Sequence, residues 1–150
     1  MTDPTGTDGE WGFDDLRALY VNCTLKRSPE RSHTQGLIDR SRSIMERHGV
    51  AVEQLRAVDH DIATGVWPDM TTHGWPSDAW PAIYRRVLAA DILVLCGPIW
   101  LGDNSSVTKR VIERLYACSS LLNQPASTPT TAGWPAACSP VTRKGSSIAP

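Results

Sequence analysis

A run of five apolar residues, Ile92–Cys96 (ILVLC), sits between Asp91 and the dipeptide Gly97-Pro98. A stretch so short and so uniformly apolar predicts a central parallel strand covered on both faces. Such a strand needs helices above and below it, and the flanking sequence supplies them. Residues 78–90 predict a helix with Pro81 in its first turn, where a missing N–H is harmless, and with Ile83, Val87 and Leu88 turned inward. Residues 105–122 predict another, with Val107, Val111, Ile112 and Leu115 as its apolar stripe. The same grammar occurs upstream. Leu16–Cys23 (LRALYVNC) reads as a strand, and residues 32–49 as a helix with Leu37, Ile38, Ile44 and Met45 on one face. Ser32 and Gln35 have capping-box spacing at its start, and Gly49 fits its stop. Val50–Val58 is a second strand, with Val52 and Leu55 inward. Strand and helix alternating three times is the order of an open, doubly wound parallel α/β sheet.

The 150 residues are one domain's worth of chain. A formal charge of −1 excludes a general nucleic-acid binder, which needs a basic surplus, and disfavours the acidic surface of a small electron carrier. No apolar run is long enough to span a bilayer, and the acidic start MTDPTGTDGEWGFDD is unlike a signal peptide. The four cysteines, Cys23, Cys96, Cys118 and Cys138, are far apart and form no C-x-x-C pair, so free thiols are expected. These features predict a cytoplasmic protein with neither nucleic-acid nor membrane partners. Residues 1–15 read as a disordered lead-in, 16–123 as the folded domain and 124–150 as a low-complexity tail.

In an open α/β sheet the ligand site lies outside the carboxyl ends of the strands. Two loops occupy that position. The first, CTLKRSPERSHTQ (Cys23–Gln35), carries the hydroxyls of Thr24, Ser28, Ser32 and Thr34 among Lys26, Arg27 and Arg31, and runs into a helix N-terminus. Unpaired helix N–H groups, hydroxyls and cations together suit a phosphate. A solvated basic loop with Ser32 serving only as a cap fits the same residues. Neither G-x-G-x-x-G nor a Walker pattern is present, which removes dinucleotide and nucleoside triphosphate readings of this loop. The second loop, Gly97–Ser106 (GPIWLGDNSS), places Ile99, Trp100 and Leu101 where loops are normally polar. An apolar edge there suits a flat ring, although a hydrophobic turn folded into the core fits equally well. Taken together, the two loops call for a ligand with a phosphate at one end and a planar heterocycle at the other, a mononucleotide such as FMN.

The order N-C-T-L-K-R-S-P-x-x-S-H-T after the first strand, followed by G-P-I-W-L-G-x-x-S-S-x-x-K-x-x-I-E-R at Gly97–Arg114, resembles the NADPH-dependent FMN reductase family of flavodoxin-like proteins. The resemblance covers about residues 16–122. It implies a flavodoxin-like sheet of strand order 2-1-3-4-5, noncovalent FMN, and hydride transfer from NADPH or NADH through the flavin to a small-molecule electron acceptor such as a flavin or quinone. Carried over position by position, it implies that Thr24, Lys26, Ser32, His33 and Thr34 hold the FMN phosphate. Pro98, Ile99, Trp100, Leu101 and Gly102 would hold the isoalloxazine ring. It assigns no catalytic side chain, because the flavin does the chemistry. It also implies a homodimer paired across the flavin site. Iron–sulfur relatives carry a cysteine cluster between the second strand and second helix; the loop here has no cysteine, so neither a cluster nor a metal is expected.

The sequence departs from the family pattern at its end. Eighteen of the 27 residues 124–150 are Ala, Ser, Thr or Pro, and such a segment cannot supply a central strand because proline has no ladder N–H. The sheet is therefore expected to be incomplete, truncated or frame-shifted after about residue 123. Re-read in another frame with suitable synonymous codons, Pro125–Pro150 yields an apolar strand and a T-G-N turn. An incomplete sheet leaves an alternative open: a non-catalytic flavodoxin-like protein, or an inactive fragment that binds flavin poorly.

Overall fold

The computed structural model describes residues 12–122. Strands β1 (Arg17–Asn22), β2 (Ala51–Arg56) and β3 (Ile92–Cys96) form a parallel sheet in the order β2-β1-β3, the 2-1-3 part of the flavodoxin-like arrangement. Their register sets Asn22, at the end of the middle strand, between Arg56 on one side and Cys96 on the other. Successive side chains of β1 point to opposite faces, so one buried strand feeds two cores. Ala18 and Tyr20 pack under helix α1 (His33–Arg47) with Ile38 and Val50. Leu19 and Val21 pack on the opposite face with Trp80, Ile83 and Tyr84 of α2 (Trp80–Leu88) and Val111 of α3 (Ser106–Ala117). Each fully buried aliphatic side chain contributes about 1.5–3 kcal/mol. A short α4, Ser119–Leu122, follows α3. Among the described residues no helix is long and apolar enough to cross a membrane.

The ends of α1 follow the sequence signals. Ser32 Oγ accepts from Gln35 N–H at 3.1 Å, and Gly49 ends the helix at φ 89°. A side chain at Gly49 would also collide with Asp14, in the segment where Phe13 N–H donates to His48 O. Residues 12–15, assigned to the lead-in by composition, thus lie against the α1–β2 turn. Residues 1–11 and the tail assigned to 124–150 lie outside the described residues.

Several apolar residues expected in the core are at the surface. Leu37 and Ile44 are 73% and 50% exposed, whereas Ile38 is buried and Met45 packs beside it. Residues 38 and 45 are two turns apart on one side, while 37 and 44 lie about 100° around the helix, beyond the reach of the sheet. Leu88 and Ile112 are likewise exposed, and Tyr84 on α2 and Ala117 on α3 take inward positions instead. Strand β3 is an edge strand among the described residues, and Leu93 on it is exposed, so the coverage expected of ILVLC is partial. Of the four cysteines, Cys23 and Cys96 are free thiols, Cys118 is buried, and Cys138 lies outside the described residues.

The connection from β2 to α2 contains only two short 3-10 turns, Ala57–Asp59 and Met70–His73, and is held by a buried ion pair. Arg114 of α3 and Asp78 meet at 2.7 Å with both side chains fully buried. Arg114 also donates to the carbonyls of Gly65, Trp67 and Pro68, and its guanidinium lies 5.8 Å from the Trp80 ring centroid. Asp78 accepts from the N–H groups of Ala63, Met70 and Trp80. Within the same connection His73 stacks on Trp67 at 4.6 Å. Replacing Arg114 by Met leaves the Asp78 carboxylate buried without its counter-charge, and breaking a buried pair in this way costs about 3–5 kcal/mol. Urea unfolding followed by Trp fluorescence measures that loss; a midpoint equal to the parent's would show that the pair does not hold this connection.

Candidate functional site

Because the three strands are parallel, the loops after β1, β2 and β3 leave from one edge of the sheet. The 23–32 loop begins where Cys23 N–H donates to Cys96 O at 2.7 Å, prolonging the β1–β3 pairing. Asn22 Oδ1 then accepts from Thr24 N–H at 3.0 Å, turning the chain out of the strand. The middle of the loop is clasped by the end of β2. Arg56 donates to the carbonyls of Lys26 and Glu30 at 3.2 and 3.0 Å. Asp59 accepts from Ser28 N–H at 3.0 Å and from its hydroxyl at 2.5 Å. The Ser28 hydroxyl, and after it the Ser28 N–H, hold the Asp59 carboxyl below the usual carboxylate range. Ser32 then caps α1, leaving the first-turn N–H groups of His33 and Thr34 without an intrahelical acceptor.

The 97–105 loop is a two-residue hairpin. Strands β4 (Ile99–Trp100) and β5 (Asp103–Asn104) pair antiparallel, joined by Leu101 and Gly102 at φ 51° and 77°. Two successive positive φ values give the turn whose twist matches a hairpin. Glycine adopts this conformation freely, whereas Leu101 is held in it with its side chain wholly exposed. The base of the hairpin is tight. A side chain at Gly97 would collide with the Thr108 hydroxyl, and that hydroxyl is 2.9 Å from Ser105 Oγ, which caps α3 and donates to Cys23 O at 3.1 Å. The β3 loop is thereby fastened to the start of the β1 loop. Burial pushes the Cys23 thiol up to about 11 against the opposing hydrogen bond from Thr108, so at neutral pH it is an un-ionised filler of this junction.

The two loops enclose a groove of about 940 Å³. Thr24, Lys26, Ser32, His33 and Thr34, singled out as phosphate ligands, all line it, and Pro98 and Trp100 line its other side. Ile99, Leu101 and Gly102, assigned to the ring, lie on the exposed hairpin and are not among its lining residues. Leu25, Arg31, Gly36 and Leu37 line it in addition. Arg31 was visible among the loop's cations. Gly36 and Leu37 stand three and four residues beyond His33, so the helical period that places His33 at the groove places them there too. Lys26 is tied to Glu30 at 2.9 Å and to the Arg31 carbonyl at 3.2 Å, which offsets part of its charge. The donor set is a helix N-terminus, hydroxyls, an imidazole and two cations at one end, with an indole and a proline ring at the other. It fits a phosphate joined to a flat apolar ring.

Comparison with known proteins identifies three relatives, two of them named for flavin phosphates. The 8-demethyl-8-aminoriboflavin-5'-phosphate synthase of Streptomyces davaonensis is 39% identical over 113 residues, 71% of this chain and 43% of that protein. The crystal structure of RosB with its bound intermediate, 8-demethyl-8-formylriboflavin-5'-phosphate, matches with a TM-score of 0.60 at 39% identity, over 67% of this chain and 42% of that one. A protein named divalent metal cation transporter MntH from Mycobacterium bovis is 80% identical over 112 residues, 75% of this chain and 16% of its own length. The chain therefore spans less than half the length of each of these relatives. The sequence profile of the NADPH-dependent FMN reductases matches residues 17–146, from the first residue of β1 to beyond the described residues. The chain belongs to the NADPH-dependent FMN reductase family.

Proposed function

We propose that the groove holds FMN and that the chain passes hydride from NADPH or NADH, through that flavin, to a small-molecule acceptor, working in the cytoplasm as a homodimer. The observation that carries this reading is the convergence of phosphate-type donors and an apolar wall in one groove of about 940 Å³. Bound FMN supplies the redox chemistry, and the protein's part is to bind and orient it. Thr24, Ser32, Thr34 and the His33 N–H are the groups that hold the phosphate, while Lys26 and Arg31 add positive charge beside it. Pro98 and Trp100 present the apolar surface on which the ring lies. None of these side chains needs to act as nucleophile or acid–base catalyst.

A second reading is favoured by the 39% identical synthase, whose name makes a flavin 5'-phosphate its product. In that case the groove takes the flavin phosphate as substrate. Incubating the full chain under air with FMN, NADPH and an amino acid as amine donor, so that an oxidant and a nitrogen source are both present, then recovering the flavin, separates the two. Steady loss of NADPH absorbance with FMN recovered unchanged supports the reductase; a flavin altered in mass supports the second reading. No saturable binding of FMN would overturn both.

Two expected outcomes follow from the phosphate end. The double variant Thr24→Ala/Ser32→Ala loses hydroxyl donors to a charged acceptor, where each bond contributes about 1.5–3 kcal/mol. Its FMN affinity falls by tenfold or more, whereas riboflavin, which lacks the phosphate, binds parent and variant alike; equal loss of both flavins would show that the loop does not read phosphate. The Asp59 latch adds a pH dependence. Since the folded pKa of Asp59 lies below its ordinary value, the latch is whole above the ordinary carboxylate pKa and is lost as pH falls through the depressed value. FMN affinity then weakens near pH 6 as the phosphate gains a proton, its second pKa being about 6, and weakens again in that acid window. Asp59→Asn abolishes the second step, and titrations by flavin fluorescence that show the step intact in the variant would dismiss the latch.

A further inference from the structure

Behind the 23–32 loop, outside the groove, lies a connected set of polar side chains. Asn22 is fully buried at the end of β1, so its amide must find partners within the protein. Its Oδ1 takes Thr24 N–H, and its Nδ2 donates to Gln35 Oε1 at 2.9 Å. The same Gln35 oxygen accepts from Gln54 at 2.8 Å and from Arg56 at 3.2 Å. The Gln35 backbone N–H is the one that Ser32 caps. The other terminal nitrogen of Arg56 spans the loop, donating to the Lys26 and Glu30 carbonyls. One hydrogen-bonded set therefore fixes the loop at its entry (Thr24), along its course (Lys26 and Glu30) and at its exit (Ser32). Asn22, Gln35 and Arg56 do not line the groove, whereas Thr24, Lys26 and Ser32 do.

Resting on the reading of this groove as a flavin phosphate site, we propose that Arg56, acting with Asn22 through Gln35, is the positioning residue that gives the chain its preference for the phosphorylated flavin. The physical argument is preorganisation. Anion recognition by hydroxyls and N–H groups is strong only if those donors already converge, since ordering them on binding would consume the gain. The loop has no ladder or helical hydrogen bonds across Lys26–Glu30; its one internal backbone bond there is Glu30 N–H to Arg27 O, so the Arg56 fork replaces secondary structure. The planar guanidinium can hold two carbonyls and the Gln35 amide oxygen at once, which a lysine ammonium on a flexible stem does not reproduce.

The experiment measures FMN and riboflavin dissociation constants for the full chain by flavin fluorescence, together with the urea midpoint, for parent, Arg56→Ala, Arg56→Lys and Gln35→Leu. Arg56 and Gln35 are half-buried, so these variants remove polar contacts and leave the two apolar cores intact. The expected result is a fall of about tenfold, equivalent to 1.4 kcal/mol, in the FMN-over-riboflavin preference for all three. Riboflavin affinity stays within about twofold of the parent, a change of under 0.5 kcal/mol. Parallel loss of both flavins would mean that Arg56 only supports the fold, and a parental preference in Arg56→Lys would mean that charge suffices; either overturns the proposal. A parent that binds both flavins equally removes the phosphate reading itself, and the proposal with it. A discriminating parent whose preference survives Arg56→Ala removes the proposal alone.

Discussion

Two buried charges, Arg114 and Asp78, hold together what the hydrophobic cores cannot. The stretch from His60 to Ser77 is rich in Pro, Gly, His and Trp and has no run of apolar residues to bury. Five of its backbone groups converge on the pair: Asp78 accepts from the Ala63 and Met70 N–H groups, and Arg114 donates to the carbonyls of Gly65, Trp67 and Pro68. The pair stands beside Trp80, the largest fully buried side chain. Desolvating two charges is costly, and the cost is met only because almost every polar atom of the pair finds a partner. The arrangement ties α3 to the start of α2, and since α3 begins at the Ser105 cap, it also steadies the helix on which the 97–105 loop is mounted.

Much of this architecture is legible from local signals. ILVLC marks β3, and Ser32, Gln35 and Gly49 mark the bounds of α1, because caps and stops are chemical requirements of helix ends and leave their residue types in place. Periodicity also locates the helices, but it cannot say how wide a stripe the sheet will cover. Leu37 and Ile44 have the same apolar character as Ile38 and Met45, and only the direction of α1 over the sheet separates the pairs. Arg114 is the converse case. In the sequence it is one of the charged residues on an amphipathic helix, and nothing local reports that its partner is Asp78, thirty-six residues earlier.

The 23–32 side of the groove was readable because its residues are adjacent in the chain: hydroxyls, cations and a helix start within Thr24–Thr34. What lies behind that loop was not readable. Asn22 belongs to a strand that reads as apolar, and Gln54 and Arg56 alternate with the inward residues of the second strand, so each resembles an ordinary polar interruption. Parallel register brings them together at one sheet edge, and register is a property of strand pairs, invisible to any one segment.

The two ends of the groove are built by different physical means. At the end lined by Thr24, Ser32 and Thr34, donors are fixed by a polar set anchored in the sheet, and directional hydrogen bonds there demand positions good to a fraction of an ångström. At the end lined by Pro98 and Trp100, contact is apolar, non-directional and tolerant of looser placement. The hairpin that carries Trp100 is correspondingly light: two residues per strand, an exposed Asp103–Lys109 pair at 2.5 Å, and Leu101 in a conformation that glycine would adopt more readily. Exposed ion pairs contribute little, so this tip is held chiefly at its base, where Gly97 lies close against Thr108. A firmly tied donor loop facing a lightly held apolar edge is the arrangement that the proposed flavin phosphate would need, its ring kept in register from one end while one face stays open.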